Sequence, residues 1–300
     1  MKKKPTWIQR LRGQRARTIL LRAVVLLLLV DVAFIFLLPV LRLISTSLMH
    51  VMDLYDPTVE WIPRRWAWEN YSRAFLALEY PLSFKNTVLV AGACAILQTI
   101  SCAIVGYGFA RIRFPGQDWL FMLVLFAMIV PPQAIIIQLF ILYGELGWLD
   151  TYLPFIVPSA LGMGLRGALF VFIFRQFFKG MPWELEDAAR IDGAGPLRVF
   201  FNIMLPPAQP AIVVVFLFAF VWHWNDSLEP SIYLNRAEKF FLPQRLTVVE
   251  MALENLRFHA MWGTGVIMAA ALLVILPLLV LYLFTQRYFV ESIERTGLIG

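Results

Sequence analysis

Six long apolar runs, separated by polar segments, set the pattern of this chain. They extend from about Ile19 to Leu41, Thr87 to Ala110, Trp119 to Tyr143, Tyr152 to Phe174, Ala208 to Trp224 and Gly263 to Phe284. A helix needs roughly 20 apolar residues to cross the hydrocarbon core of a bilayer. The runs are continuous and do not alternate, so they predict helices and not the strands of a closed barrel. The pattern therefore predicts an all-α, polytopic membrane protein with six transmembrane helices, the third bent at Pro131-Pro132. Two long polar segments, His50–Lys85 and Asn225–Met261, and the short Glu145–Asp150 fall on one side of this topology.

Composition strengthens the assignment. The chain of 300 residues is 60% hydrophobic and 15% charged, far from a soluble average. The net charge of +6 is no nucleic-acid footprint, because its sources flank the apolar runs. Lys2, Lys3, Lys4, Arg10, Arg12, Arg15 and Arg17 crowd the N-terminus, and Arg111, Arg113, Arg175, Lys179, Arg190 and Arg198 mark later turns on the same side. Positive residues collect on the cytoplasmic side, which places both termini there. The first apolar run is too long for a signal-peptide core and is expected to be retained. The expected organisation is a basic cytoplasmic N-terminus (1–18), a six-helix domain (19–285) and a cytoplasmic tail (286–300). Cys94 and Cys102 lie eight positions apart in one run, about 12 Å along a helix, and cannot bridge each other.

The most charged stretch between two apolar runs is Met181–Pro210, MPWELEDAARIDGAGPLRVFFNIMLPPAQP. It predicts two short helices joined at a glycine turn. Pro182 suits a first helical position, and Glu184, Glu186 and Asp187 fall in the first turns, where carboxylates favour the positive helix end. Asp192-Gly193 provides the stop and Gly195-Pro196 the restart. Leu197, Phe200, Phe201 and Met204 give the second piece an apolar face. Such a face outside the bilayer has to be buried on something, which suits a docking element for a soluble partner as well as a plain connector.

AARIDGAGPLRVFFNIMLPPAQP resembles the EAA loop of permease subunits of ATP-binding-cassette importers, in the form found in sugar importers. Asp187 stands where the family carries its first Glu. Trp222-His223-Trp224-Asn225-Asp226 is similar to the family's Trp-Asn-acid segment, and Gln286-Arg287-Tyr288-Phe289-Val290 to the signature that follows the last helix. The final RTGLIG lacks the Lys-Gly ending common there.

The resemblance implies a type I ABC importer permease fold in a bacterial inner membrane, and a transport subunit without enzymatic activity. The coupling loop would span 176–207, with Glu184, Asp187, Ala188, Ala189, Asp192, Gly193, Ala194, Leu205 and Pro206 as contacts to the ATPase. The implied partners are a second homologous permease, a dimeric cytoplasmic ATPase that binds ATP and magnesium, and an extracytoplasmic solute-binding protein. No cofactor is implied in this chain. The expected substrate is a sugar or oligosaccharide, with a sugar phosphate such as glycerol phosphate as the alternative.

Two charges sit deep in apolar runs, Asp31 and Arg166. An intramembrane charge costs at least about 2.5 kcal/mol on insertion scales, so each faces a bundle interior or a wet path. A salt bridge between helices and a lining of the substrate path are the two readings. Gly162, Gly164 and Gly167 around Arg166 let a helix bend or a neighbour approach. Trp222, Trp224, Asn225 and Asp226 combine aromatic faces with polar groups and are further path candidates; an interfacial aromatic belt would look the same. His50, His223 and His259 show no metal-ligand spacing, and no phosphate-binding Gly-rich loop occurs. A competing class is a membrane enzyme acting on lipid-linked substrates, with magnesium held by Glu184, Glu186, Asp187 and Asp192. A secondary transporter would show a repeated half, and none stands out.

Overall fold

The computed structural model describes residues 7–255 and 260–297. The N-terminal lysines, His259 and the last three residues of the tail lie outside them. Among the described residues the regular structure is helical apart from one isolated bridge between Met49 and Trp66.

The first apolar run lies in α1 (Trp7–Ser47), whose Ile19–Ser47 portion is almost wholly open on the surface. Two short helices follow, α2 (Val51–Leu54) and α3 (Glu69–Ala77). The buried Asn70 ties them to the end of α1, donating to the Ser47 and Met49 carbonyls at 3.0 and 3.1 Å. Gly265 passes so close to Asn70 that a Cβ there would lie 2.6 Å from its amide nitrogen.

The central element is α4 (Tyr80–Arg111). It packs against three later helices, α7 (Leu153–Ala160), α8 (Gly167–Lys179) and α11 (Gln209–Asn225). Its inner face is small or weakly polar (Ala91, Cys94, Ala95, Gln98, Cys102, Ala103, Gly106), which lets these neighbours approach closely. Cys94 and Cys102 are both buried free thiols. The largest core joins α4, α8 and α11 around Phe170, Phe174, Phe178 and Val215.

Among the described residues, four apolar helical stretches are long enough to cross a membrane: Ile19–Ser47, Tyr80–Arg111, Pro206–Asn225 and Gly263–Gln286. The third and fourth runs, expected as single helices, are each broken. The third divides into α5 (Gln117–Ile129) and α6 (Ile136–Glu145). Pro131 forces Val130 into an extended conformation, and a single 3₁₀ turn, Pro132–Ala134, separates the two helices. The fourth divides into α7 and α8. Gly162 and Arg166 both adopt positive φ, +72° and +61°, and the helix is interrupted between them. A Cβ on Gly167 would meet the Gly162 carbonyl at 2.2 Å, so the turn closes only around a glycine.

Two helices follow α8 before α11, α9 (Glu184–Ile191) and α10 (Pro196–Arg198). Beyond α11 come α12 (Leu228–Tyr233), α13 (Leu242–Asn255) and α14 (Ala260–Gly297). α3 and α13 pack on α14, and α1 lies along it.

Candidate functional site

The segment from Met181 to Pro210 forms the turn-linked pair that its residues predict. Trp183 precedes α9, and Glu184, Glu186 and Asp187 occupy its first turn. Gly193 closes α9 at φ +79°, with its N–H bonded to the Arg190 carbonyl at 3.0 Å. The second piece starts with α10 and continues as a π-helical stretch, Val199–Met204. The wider π turn ends at Leu205-Pro206-Pro207, where a 3₁₀ turn leads into α11.

This pair has two unlike faces. Ala189, Val199, Phe200, Met204 and Ala208 are buried in the core that joins α4, α8 and α11, with Tyr107 against Phe178 and Phe200. The other face is bare: Ile191 is 86% exposed, Leu197 is 73% exposed, and Leu185 and Phe201 are open beside them. The apolar face expected over Leu197, Phe200, Phe201 and Met204 is therefore split, two side chains inward and two outward. Glu184, Asp187, Ala188, Asp192 and Gly193 lie on the exposed side, and Ala189 on the buried side. Ala194 and Leu205 are half-buried and Pro206 is exposed.

Two charged residues that are not among the expected ATPase contacts hold the inner face. Glu186 is fully buried, and its carboxylate lies 3.5 Å from Arg111 Nε and 3.2 Å from Arg190 Nη2. Arg111, the last residue of α4, is equally buried. Its Nε donates to the Phe178 carbonyl at 2.9 Å, its Nη2 donates to the Met181 carbonyl, and its guanidinium lies 4.4 Å from the Trp183 ring centre. Burial pushes the Glu186 carboxyl above the ordinary glutamate range, and Arg111 and then Arg190 pull it back. In the sequence Arg111 is only a cation flanking an apolar run, and Glu186 is one acid among three.

The carboxylates considered as a magnesium site do not converge. Glu186 is turned inward onto Arg111, whereas Glu184, Asp187 and Asp192 point outward. No group of three or more His, Cys, Asp or Glu able to hold a metal occurs among the described residues.

The path candidates fall in two environments. Arg166 is exposed at the break, just ahead of α8, with its guanidinium 5.7 Å from the Trp222 ring centre. Asp31 lies exposed on α1, and no ion pair joins it to Arg166. Trp222 packs against Phe170 and Phe218 beneath Arg166. Next to it, His223 Nε2 lies 2.9 Å from Gln98 Oε1, and Gln98 Nε2 donates to the Leu165 carbonyl at 2.9 Å. A polar chain thus runs from α11 through α4 to the break.

Trp224 faces the other way. It is buried against Phe84 and Phe220, and its Nε1 donates to the Val274 carbonyl at 3.2 Å. It anchors α11 to α14. Asn225 is exposed and bonds back to the Val221 carbonyl. Asp226 Oδ1 accepts the Leu228 and Glu229 N–H groups, and it lines a small cavity with Thr87, Phe155, His223 and Phe241.

Residues 102–295 match the family model described as "Binding-protein-dependent transport system inner membrane component". The arabinooligosaccharides transport system permease protein AraQ of Halalkalibacterium halodurans is 30% identical over 278 residues, covering 90% of this chain and 93% of AraQ. The lactose transport system permease protein LacG of Rhizobium radiobacter is 30% identical over 224 residues, 75% of this chain and 78% of LacG. A solved structure of a bacterial ABC transporter involved in importing the acidic polysaccharide alginate superposes with a TM-score of 0.74. It covers 96% of this chain and all of the matched chain at 21% identity, a likeness of fold. The chain belongs to the binding-protein-dependent transport system inner membrane components, the permeases of ABC importers, and is a multi-pass transport component of an ABC complex, not a catalytic enzyme.

Proposed function

We propose that this chain forms half of the translocation pathway of an ATP-driven importer for an oligosaccharide. Six crossings are made by α1, α4, α5 with α6, α7 with α8, α11 and α14. Both termini, 1–18 and 286–300, are cytoplasmic, as the excess of Lys and Arg on that side supports. A second homologous permease completes the pathway. A dimeric ATPase docks on the 181–210 loop, and an extracytoplasmic binding protein delivers solute to the 50–85 and 225–261 segments. The transport names of AraQ, LacG and the Bacillus subtilis maltodextrin permease MdxG support a carbohydrate cargo.

One observation carries the docking assignment. The loop is fastened to the core on one face and presents Leu185, Ile191, Leu197 and Phe201 bare on the other, next to Asp187 and Asp192. An apolar strip on an otherwise charged loop is the composition of an interface centre. Leu197→Asp should abolish copurification of the ATPase. Asp187→Ala should leave the ATPase bound while its hydrolysis stops responding to loaded binding protein, and Asp187→Glu should restore the response. Unchanged association in Leu197→Asp together with normal stimulation in Asp187→Ala would reduce the loop to a connector.

A second reading, an acidic sugar or sugar phosphate as cargo, is favoured by Arg166. It holds a left-handed conformation that costs a non-glycine residue of order 1–3 kcal/mol, and such strain concentrates at functional sites. Uptake of neutral and uronate-bearing oligosaccharides by the reconstituted complex separates the two readings. Arg166→Gln should lower only the uptake of the acidic set.

A further inference from the structure

We propose that Arg111 and Glu186 are positioning residues that pass displacement of α9 to α4, and through α4 to the break between α7 and α8. This inference rests on the reading of α9 as the element that the ATPase moves.

The geometry is that of a hub. α9 buries only Glu186 and Ala189, and the alanine offers little area, so the carboxylate fixes the helix on its support. The Arg111 guanidinium touches α8, the linker after it and α9. It bonds the Phe178 carbonyl in α8 and the Met181 carbonyl in the linker, lies over Trp183 at the start of α9, and pairs with Glu186 within it. A planar fork of donors makes these contacts together, which a lysine ammonium cannot. Arg111 also ends α4, and one helix turn after another connects it to Gln98, about 20 Å away at the helical rise. Gln98 holds the Leu165 carbonyl at the break and the His223 ring of α11. A push on Glu186 therefore bears on a rigid helix whose middle closes the interrupted stretch.

The pair is not completed as a purely static clamp would be. Arg111 Nη1 is buried without a hydrogen-bond partner, and Glu186 Oε1 stands 3.5 Å from Arg111 Nε, an ion pair without a hydrogen bond. Buried unsatisfied groups of this kind carry a cost, and a second arrangement that brings them together would remove it. Two nearly balanced pairings are what a moving joint requires.

The test uses the assembled complex, with the second permease and ATPase, in lipid nanodiscs. A spin label at a cysteine replacing Met163, which is exposed at the break, reports accessibility before and after trapping with ATP and vanadate. Glu186→Gln and Arg111→Lys should keep the ATPase bound and its basal hydrolysis within twofold of wild type, yet reduce the trapping-induced change at position 163 at least fivefold. The double variant should be no worse than the poorer single one, because both remove the same link. Trp183→Leu, which loosens the guanidinium from its half-exposed side, should cause a two- to threefold reduction and serves if the charge variants fail to assemble. A role confined to holding the fold would lower the yield of complex and leave the change per assembled complex at wild-type size in every variant, which overturns the proposal. Failure of the docking reading looks different: the ATPase would then still bind the Leu197→Asp protein.

Discussion

Replacing Gly106 with alanine tests whether the close crossing of α4 on α8 is what holds the centre of this subunit. An ideal Cβ at Gly106 would lie 2.5 Å from Phe174 Cβ, 3.0 Å from the Arg175 nitrogen and 3.1 Å from the Val171 carbonyl oxygen. Carbon atoms pack best at about 3.5–4.0 Å, so the helices would have to part by roughly 1 Å or more. A gap of 0.5–1 Å already forfeits about a quarter to a half of each dispersion contact along the seam. Overpacking of this kind costs about 1–3 kcal/mol. Alanine itself is about 1 kcal/mol better than glycine inside a helix, which partly masks the clash. Gly108, one helical position pair further on, supplies the control, because a Cβ there meets nothing within 4 Å. Gly108→Ala carries the same propensity gain without the clash. The difference between the two variants therefore isolates the crossing at about 1–3 kcal/mol, or roughly a 5- to 150-fold ratio in the unfolding equilibrium. The assay is unfolding of the purified complex against SDS mole fraction, followed by tryptophan fluorescence. Equal midpoints for the two variants would refute the argument, since the crossing could then widen without loss.

Gly193→Val should weaken ATPase copurification severalfold, because a β-branched residue at φ +79° costs about 1–2 kcal/mol and the closing turn of α9 has to shift; Gly193→Asn should be milder, and equal pull-down yields for all three proteins would dispose of the turn requirement. Burial holds Asp226 up at about 6, and burial together with the Asp226 charge holds Glu229 up at about 7. Both folded values lie above the ordinary carboxylate range, so the stability they contribute is full only below about pH 3, under that range, and is lost progressively as pH rises past 4 and through 6 to 7. The thermal midpoint of the complex should fall between pH 5 and pH 8, and Asp226→Asn with Glu229→Gln should flatten that fall; an unaltered slope in the double variant would count against it. Cysteines at Ala188 and at Thr58 or Ala237 should label from opposite faces of sealed vesicles, and labelling of both from one face would overturn the six-crossing topology.

The apolar runs were legible because crossing hydrocarbon constrains composition over some twenty consecutive residues, and a single sequence carries that signal whole. The α9 turn was legible for a similar local reason, since Gly193 and Pro196 dictate backbone geometry within a few positions. The interruption at 161–166 was half legible. Gly162, Gly164 and Gly167 marked a place where a helix bends, but the complete break is held by Ser101, Cys102 and Gln98 of another helix. Position-to-position contacts were not legible. Nothing near Glu186 in the sequence distinguishes it from Glu184 or Asp187, and its burial follows from Arg111 on a helix far away along the chain. The direction of Trp224 was not legible for the same reason: the Val274 carbonyl that holds its indole lies in α14, far along the chain.

The carbonyls freed between α7 and α8 are closed by α4, which makes the order of synthesis matter. Ser101 Oγ donates to Ser159, Gln98 Nε2 to Leu165, and the Cys102 thiol faces the Gly162 and Gly167 carbonyls. Hydrocarbon offers no partner for such groups, so the broken stretch is unsuited to lie in lipid by itself. A ribosome delivers α4 first, and the side chains that seal the break are in place before it emerges. A circular permutant that placed 153–179 ahead of α4 would keep every contact of the finished protein and lose that sequence of events. It should be caught during biogenesis, as poorly inserted or proteolysed chain, even though the final structure remains available to it.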